Sequence, residues 1–236
     1  MRYLIKFTKE PEIKFISHLD IMRTIQRSIR RSGLPVEYSK GFNPHMSISI
    51  AQPLPVGMYS KGEYMDVVFT ENVDTNEVKK RLNENMPNGI NVVSAAKIPS
   101  QLQNEKKSPQ SMAVVDGAKY NIKIKYKDTS KLAGELKELI QSDDWSILKK
   151  TKSGEKVTNI KPMIKDFRYS ITDNELVIKA LLSCGSRENL SAELLSKFIK
   201  NNTHDADEIS FVDIERIELL GLKKNEYVSL IEALTF

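Results

Sequence analysis

The chain is poor in the residues that build metal and redox centres. Its 236 residues include one cysteine, Cys184, and three histidines, His18, His45 and His204. A single thiol excludes an intramolecular disulfide and a cysteine-rich zinc or iron–sulfur site. No run of about 18 apolar residues occurs, so no membrane-spanning helix is expected. The opening MRYLIKFTKE alternates like a strand and lacks the apolar core of a signal peptide, which points to a cytoplasmic protein. Aromatic residues make up 7%, a modest supply for base stacking. HExxH, CxxC, GxSxG and phosphate-loop patterns are all missing. With no complete catalytic constellation, a binding or accessory role fits better than an enzyme, and neither cofactor nor metal is expected.

What is present is positive charge, unevenly spread. The net charge is +5 with pI ≈ 9.0. From Met1 to Gln52 the acids are Glu10, Glu12, Asp20 and Glu37. Against them stand Arg2, Lys6, Lys9, Lys14, Arg23, Arg27, Arg30, Arg31 and Lys40. Such a balance permits contact with nucleic acid without demanding it.

Much of that charge lies on one helix, FISHLDIMRTIQRSIRRSGLP. Ser17 is a good N-cap, and Asp20 favours the positive end of the helix dipole. Gly33 and Pro35 stop the helix. At ~100° per residue, Ile21, Met22, Ile25 and Ile29 share one side, and Arg23, Arg27, Arg30 and Arg31 take the other. Arginine forks suit phosphate or carboxylate, although a charged helix face can also be merely solvated. His18 projects to the apolar side. It is either a locally bonded, partly buried histidine or a ligand or acid/base group in a cleft.

The loop YSKGFNPH follows. Gly41 allows unusual backbone geometry, and Asn43-Pro44 is a turn dipeptide. Phe42 could stack, and Asn43 and His45 project from a stiff turn. His18 lies at the far end of the helix, roughly 20 Å from this loop, so a direct His18–His45 pair is not expected. Glu63 and Asp66, three apart on a strand, face opposite sides and are not a ready-made pair. The catalytic candidates are thus His18, His45, Asp20 and Glu63. The substrate-binding candidates are Arg23, Arg27, Arg30, Arg31, Gly41, Phe42, Asn43 and His45.

Taken in order, residues 1–98 read β-α-β-β-α-β, the ferredoxin-like plan. Residues 99–117 are polar with two prolines and read as a linker, with local packing of Met112 to Val115 as an alternative. The pattern recurs less regularly over 118–222. Lys119 to Tyr126 form a strongly alternating strand, Thr129 or Ser130 caps a helix, and Asp173-Asn174 turns a hairpin. Residues 223–236 read as a tail with a short amphipathic piece. The fold class is therefore α+β, with two tandem ferredoxin-like (βαββαβ) units. In the second half, Ser186 and Arg187 precede the helix that Ser191 caps. They could hold an anion or form an ordinary loop.

Three functions fit: an RNA-binding module, a protein-docking module, and an RNA-processing enzyme using His18 or His45 as acid/base. The combined S-H-L-D, R-R-x-G-L-P, G-F-N-P-H and G-E-Y-x-D pattern, densest from Phe15 to Asp66, resembles the radical-SAM-linked family of bacterial proteins of unknown function. Met46 stands where that family often has proline. Members occur alone or joined to the C-terminal end of a radical SAM protein, and tend to be encoded near ribonuclease and ribosomal-protein genes. The resemblance implies a radical SAM enzyme as partner, with RNA or the ribosome as a further partner. It assigns no catalytic residues. A looser architectural likeness, to the paired ferredoxin-like endonucleases of CRISPR systems, underlies the stand-alone enzyme alternative.

Overall fold

The computed structural model describes residues 1–100, 108–151 and 154–235. The fold is α+β, and the chain gathers into two compact units. Unit 1 is Met1–Asp116 with Arg216–Phe236, and unit 2 is Gly117–Glu215.

Unit 1 begins with β1 (Arg2–Lys9), α1 (His18–Arg31), β2 (Ile48–Ile50), β3 (Tyr59–Val68), α2 (Thr75–Asn85) and β4 (Val92–Lys97). These strands pair in the order β4-β1-β3-β2, all antiparallel. The register sets Tyr3 against Val67, Ile5 against Met65 and Phe7 against Glu63. Alternation places these residues on one face of the sheet. Ile21, Ile25 and Ile29 of α1 and Val78 and Leu82 of α2 close over that face in one buried core. Each such aliphatic side chain contributes about 1.5–3 kcal/mol by leaving water. Ser17 caps α1 and Asp74 caps α2, as their positions in the sequence suggest.

Unit 2 contains most of β5 (Val115–Lys125), then α3 (Leu132–Gln141), β6 (Ser146–Thr151), β7 (Gly154–Asn159), β8 (Ile164–Thr172), β9 (Glu175–Ser183) and α4 (Ala192–Asn201). β9 pairs antiparallel with both β5 and β8. β6 and β7 pair only with each other, as a separate two-stranded ribbon. Trp145, at the root of the ribbon, is buried, stacks on Phe198 at 5.0 Å and meets Phe167 edge-on at 5.8 Å. Its indole N–H donates to the Leu139 carbonyl at 2.9 Å. The expected cap at Thr129 or Ser130 does not form. Asp128 instead accepts from the Ser130 N–H and hydroxyl, making a tight turn, and α3 starts without a side-chain cap.

The chain then returns to unit 1 along β10 (Asp213–Lys223), whose residues from Arg216 onward lie there beside β3. The segment expected as a tail forms β11 (Glu226–Ser229), paired with β10, and α5 (Leu230–Thr235). Leu230 and Leu234 are fully buried, because the sheet supplies an apolar surface that the local sequence does not reveal. Part of the expected linker, 101–107, lies outside the described residues. Beyond it, Ser108 and Ser111 are buried in unit 1 and β5 starts at Val115.

The close approach of β3 and β10 requires glycine. A Cβ on Gly62 would sit 2.6 Å from the Ile217 carbonyl oxygen and 2.9 Å from the Glu218 Cα. Backbone atoms cannot yield cheaply, so Gly62→Ala should cost about 1–3 kcal/mol. Gly134 is exposed in α3 with nothing within 4 Å of its Cβ position. Gly134→Ala should therefore stabilise by roughly 0.5 kcal/mol. Urea denaturation of the two variants checks the opposite signs.

Candidate functional site

The candidate residues of unit 1 lie on α1, in the loop after it and on β3. At its start the Ser17 hydroxyl accepts from the Asp20 N–H at 3.2 Å and donates to the Asp20 carboxylate at 2.7 Å. Arg23 donates to the same carboxylate at 3.0 Å. The Ser17 hydroxyl, and then Arg23, hold the Asp20 carboxyl below its ordinary value. Asp20 is exposed and occupied with capping, so it does not join His18.

His18 turns the other way. It lines a cavity of ≈ 20 Å³ together with Phe7, Lys9, Ile21, Ile50, Leu54 and Glu63. Such a volume holds about one water molecule. The cavity wall carries a buried charge cluster. The Lys9 ammonium donates to the carbonyls of Lys14 at 2.9 Å and Ile16 at 3.0 Å, pinning the turn that leads into α1. Burial lowers the Lys9 pKa, Glu63 opposes that shift and Arg216 adds to it. Glu63 and Arg216 are 3% and 1% exposed. Arg216 donates from Nε to Glu63 Oε1 at 2.7 Å, from Nη2 to Glu63 Oε2, and from Nη2 to the Gln52 carbonyl at 2.8 Å. A two-pronged, charge-assisted pair of this kind offsets the desolvation of both ions.

Other charges are buried on the opposite side of β3. Asp66 accepts from the Ser111 N–H at 2.9 Å and hydroxyl at 2.6 Å, with the Arg2 Nε 3.6 Å away. The Tyr64 hydroxyl donates to Glu218 at 2.6 Å, and Lys6 binds the same carboxylate. Burial and then Glu218 push the Tyr64 pKa up. Glu63 and Asp66 thus serve separate clusters. Lys9 and Arg216 were missed from the sequence. Their only signal was charge inside a strand pattern, which does not say whether that charge is solvated or buried.

The four arginines of α1 all reach the surface but are not equivalent. Arg31 donates to Ser28 Oγ at 3.2 Å and to the Asn85 carbonyl at 2.7 Å, tying α1 to the end of α2. Arg23 is taken by Asp20. Arg27 and Arg30 make no hydrogen bond or ion pair among the described residues. The loop beyond α1 stands on a short stem. Tyr38 bridges to Met46, the Ser39 N–H donates to the His45 carbonyl at 2.8 Å, and the His45 N–H donates to Ser39 Oγ at 2.9 Å. Gly41 adopts φ +124°, which a side chain would resist. Gly41, Phe42, Asn43 and His45 are exposed, and nothing covers the Phe42 ring. His18 shares a cavity wall with Glu63, and His45 stays in this loop.

In unit 2, Ser186 and Arg187 are exposed in the loop between β9 and α4. That loop is braced by the Ser183 hydroxyl donating to Glu188 at 2.5 Å. Ser191 caps α4 by accepting from the Leu194 N–H, and Cys184 is buried. Among the described residues no group of three or more His, Cys, Asp or Glu side chains is placed to hold a metal ion. No helix among them is long and apolar enough to cross a membrane.

Glu63→Ala and Arg216→Ala should each cost about 3–5 kcal/mol, because each leaves a buried charge without its partner. A double-mutant cycle in urea should show the paired change costing less than the sum. Tyr64 binds its proton more tightly folded than unfolded, so its share of stability is present below the ordinary value of 10.0 and is lost as pH rises above it. Stability curves from pH 8 to 11 should therefore fall less steeply at the alkaline end for Tyr64→Phe than for the native chain.

Comparison with known proteins adds a family but no activity. No curated protein matches the sequence. Among solved structures, one described as an unknown protein from Galdieria sulphuraria aligns over 91% of this chain and 97% of its own, at 9% identity. Its TM-score is 0.26, too low to carry weight for the fold. The family model for uncharacterized proteins conserved in bacteria (DUF2344) matches residues 2–192, and the chain belongs to that family.

Proposed function

We propose that this protein is a cytoplasmic accessory module that binds RNA, free or within a ribonucleoprotein, and positions it for a partner radical SAM enzyme. The observation that carries the RNA reading is Phe42. Its ring is wholly exposed on a braced loop, between Lys40 and the polar side chains of Asn43 and His45. Exposing an apolar ring on a stiff stem gains nothing for the fold. A base stacking on such a ring contributes about 1–3 kcal/mol. Arg27 and Arg30, free on the outer side of α1, supply forks for phosphate. His18 and Glu63 sit at a cavity too small for a nucleotide, which favours positioning over catalysis.

The β4-β1-β3-β2 order supports reading the first half as ferredoxin-like, and β8 and β9 with α3 and α4 support the same plan for the second. Paired units of this kind suit recognition of single strands and ends. The radical SAM partner rests on the motif resemblance between Phe15 and Asp66. This chain brings no cluster cysteines of its own, so the partner would supply the cluster.

One observation favours protein docking as a second reading. Phe15, Ile16, Leu19 and Val56 are exposed large apolar side chains in the turn before α1, its first residues and the loop after β2. That loop touches the turn through the Gly57 N–H, which donates to the Lys14 carbonyl at 2.9 Å.

Affinity capture from lysate with and without nuclease separates the two. The native chain should retain RNA, and Arg27→Ala/Arg30→Ala should lose most of it. With a purified single strand, Phe42→Ala should weaken binding roughly tenfold. Each arginine removed should flatten the salt dependence by about 0.7. Protein captured regardless of nuclease, with no RNA in any sample, would replace the RNA reading with docking.

A further inference from the structure

A second polar site lies wholly within unit 2. A cleft of ≈ 610 Å³ opens between the β6–β7 ribbon and α4. Its helix wall is one stripe, Ser191, Leu194, Lys197 and Asn201, whose spacing places them on one side of α4. Its ribbon wall includes Ile147 and Lys149. Lys149 donates to the Asn189 carbonyl at 2.6 Å, which braces the ribbon against the loop before α4. That brace matters because an isolated two-stranded ribbon is marginal in water by itself.

The charges of the cleft are unbalanced. Lys156 stands directly opposite Lys149 in the ribbon register. Like charges directly opposed across two strands destabilise the pair. Lys156 and Lys197 are exposed and make no ion pair among the described residues. Glu155 is the one carboxylate among the described residues that line the cleft. Lys149 and Lys197 therefore line the cleft with the amides of Asn189 and Asn201, Lys156 shares the ribbon face of Lys149, and no aromatic ring is among the described lining residues. This chemistry suits phosphate and ribose oxygens rather than base faces. The volume falls in the range of ordinary ligand sites.

We infer that the cleft between the β6–β7 ribbon and α4 is a second RNA site, which takes the sugar–phosphate backbone of a single strand. The inference rests on the RNA reading of α1 and the Phe42 loop, and it divides the work. Phe42 would hold a base, and the ribbon cleft would hold backbone.

The test is fluorescence anisotropy of a labelled 15-nucleotide single-stranded RNA of mixed sequence, from 50 to 200 mM salt. It compares the native chain, Lys156→Glu/Lys197→Glu and Arg27→Glu/Arg30→Glu. The ribbon pair should weaken binding on the order of tenfold and flatten the salt slope by about 1.4, the share of two phosphate contacts. Lys156→Arg/Lys197→Arg should restore both. Lys197→Ala, a milder surface change, should give a smaller loss with an unchanged melting temperature. Binding unaffected by the ribbon pair but lost with the α1 pair overturns this inference and leaves the α1 reading standing. Loss with the ribbon pair alone supports the cleft and overturns α1 as the phosphate surface. A native chain that binds no RNA overturns both.

Discussion

The Glu63–Arg216 pair is the contact on which the arrangement of unit 1 depends. Its partners are 153 residues apart in sequence. Both are almost completely buried, and removing either would leave the other an uncompensated buried charge. The pair commits β10 to lie beside β3, so the chain comes back to the unit it started from. Lys9 feels both charges and spends two of its donors on the carbonyls of Lys14 and Ile16. Those carbonyls precede the Ser17 cap. Charge interactions and hydrogen bonds therefore link the C-terminal return to the turn before α1, where the Ser17 cap begins the helix.

That start decides which side of α1 is available. Ile21, Ile25 and Ile29 must cover the sheet, so the arginines face out. Local contacts then sort them. Asp20 takes Arg23, the end of α2 takes Arg31, and Arg27 and Arg30 are left with water. The loop beyond is braced by Ser39 and the Tyr38–Met46 bridge. A stiff stem lowers the ordering cost of binding through its tip. An exposed ring on a braced loop, together with free guanidinium groups on the same unit, is the kind of surface that sequence-tolerant contact with single strands uses.

The cleft of unit 2 offers a different chemistry, lysines and amides with no ring among its described lining residues. Its ribbon stays apart from the sheet and is anchored at its root by Trp145 and along one strand by Lys149. The net charge of +5 is too small for long-range steering to dominate. Affinity for a polyanion would come instead from a few short-range contacts of the kind these two surfaces present.

The sequence by itself determined the local features. Capping by Ser17, Asp74 and Ser191, the two-sided character of α1, the alternation of β1 and the turn at Gly41 all follow from contacts within a few residues. The exposed character of the arginines and of the GFNPH loop was legible for the same reason. Only the tertiary structure decided the partners of Glu63, Asp66 and Glu218. It also decided the burial of Lys9 and Arg216, the docking of Leu230 and Leu234, and the separation of the ribbon. A charge in a strand pattern reads the same whether it meets water or an ion brought from 153 positions away. Its role depends on which strand lies alongside, and that is settled by the packing of the whole unit.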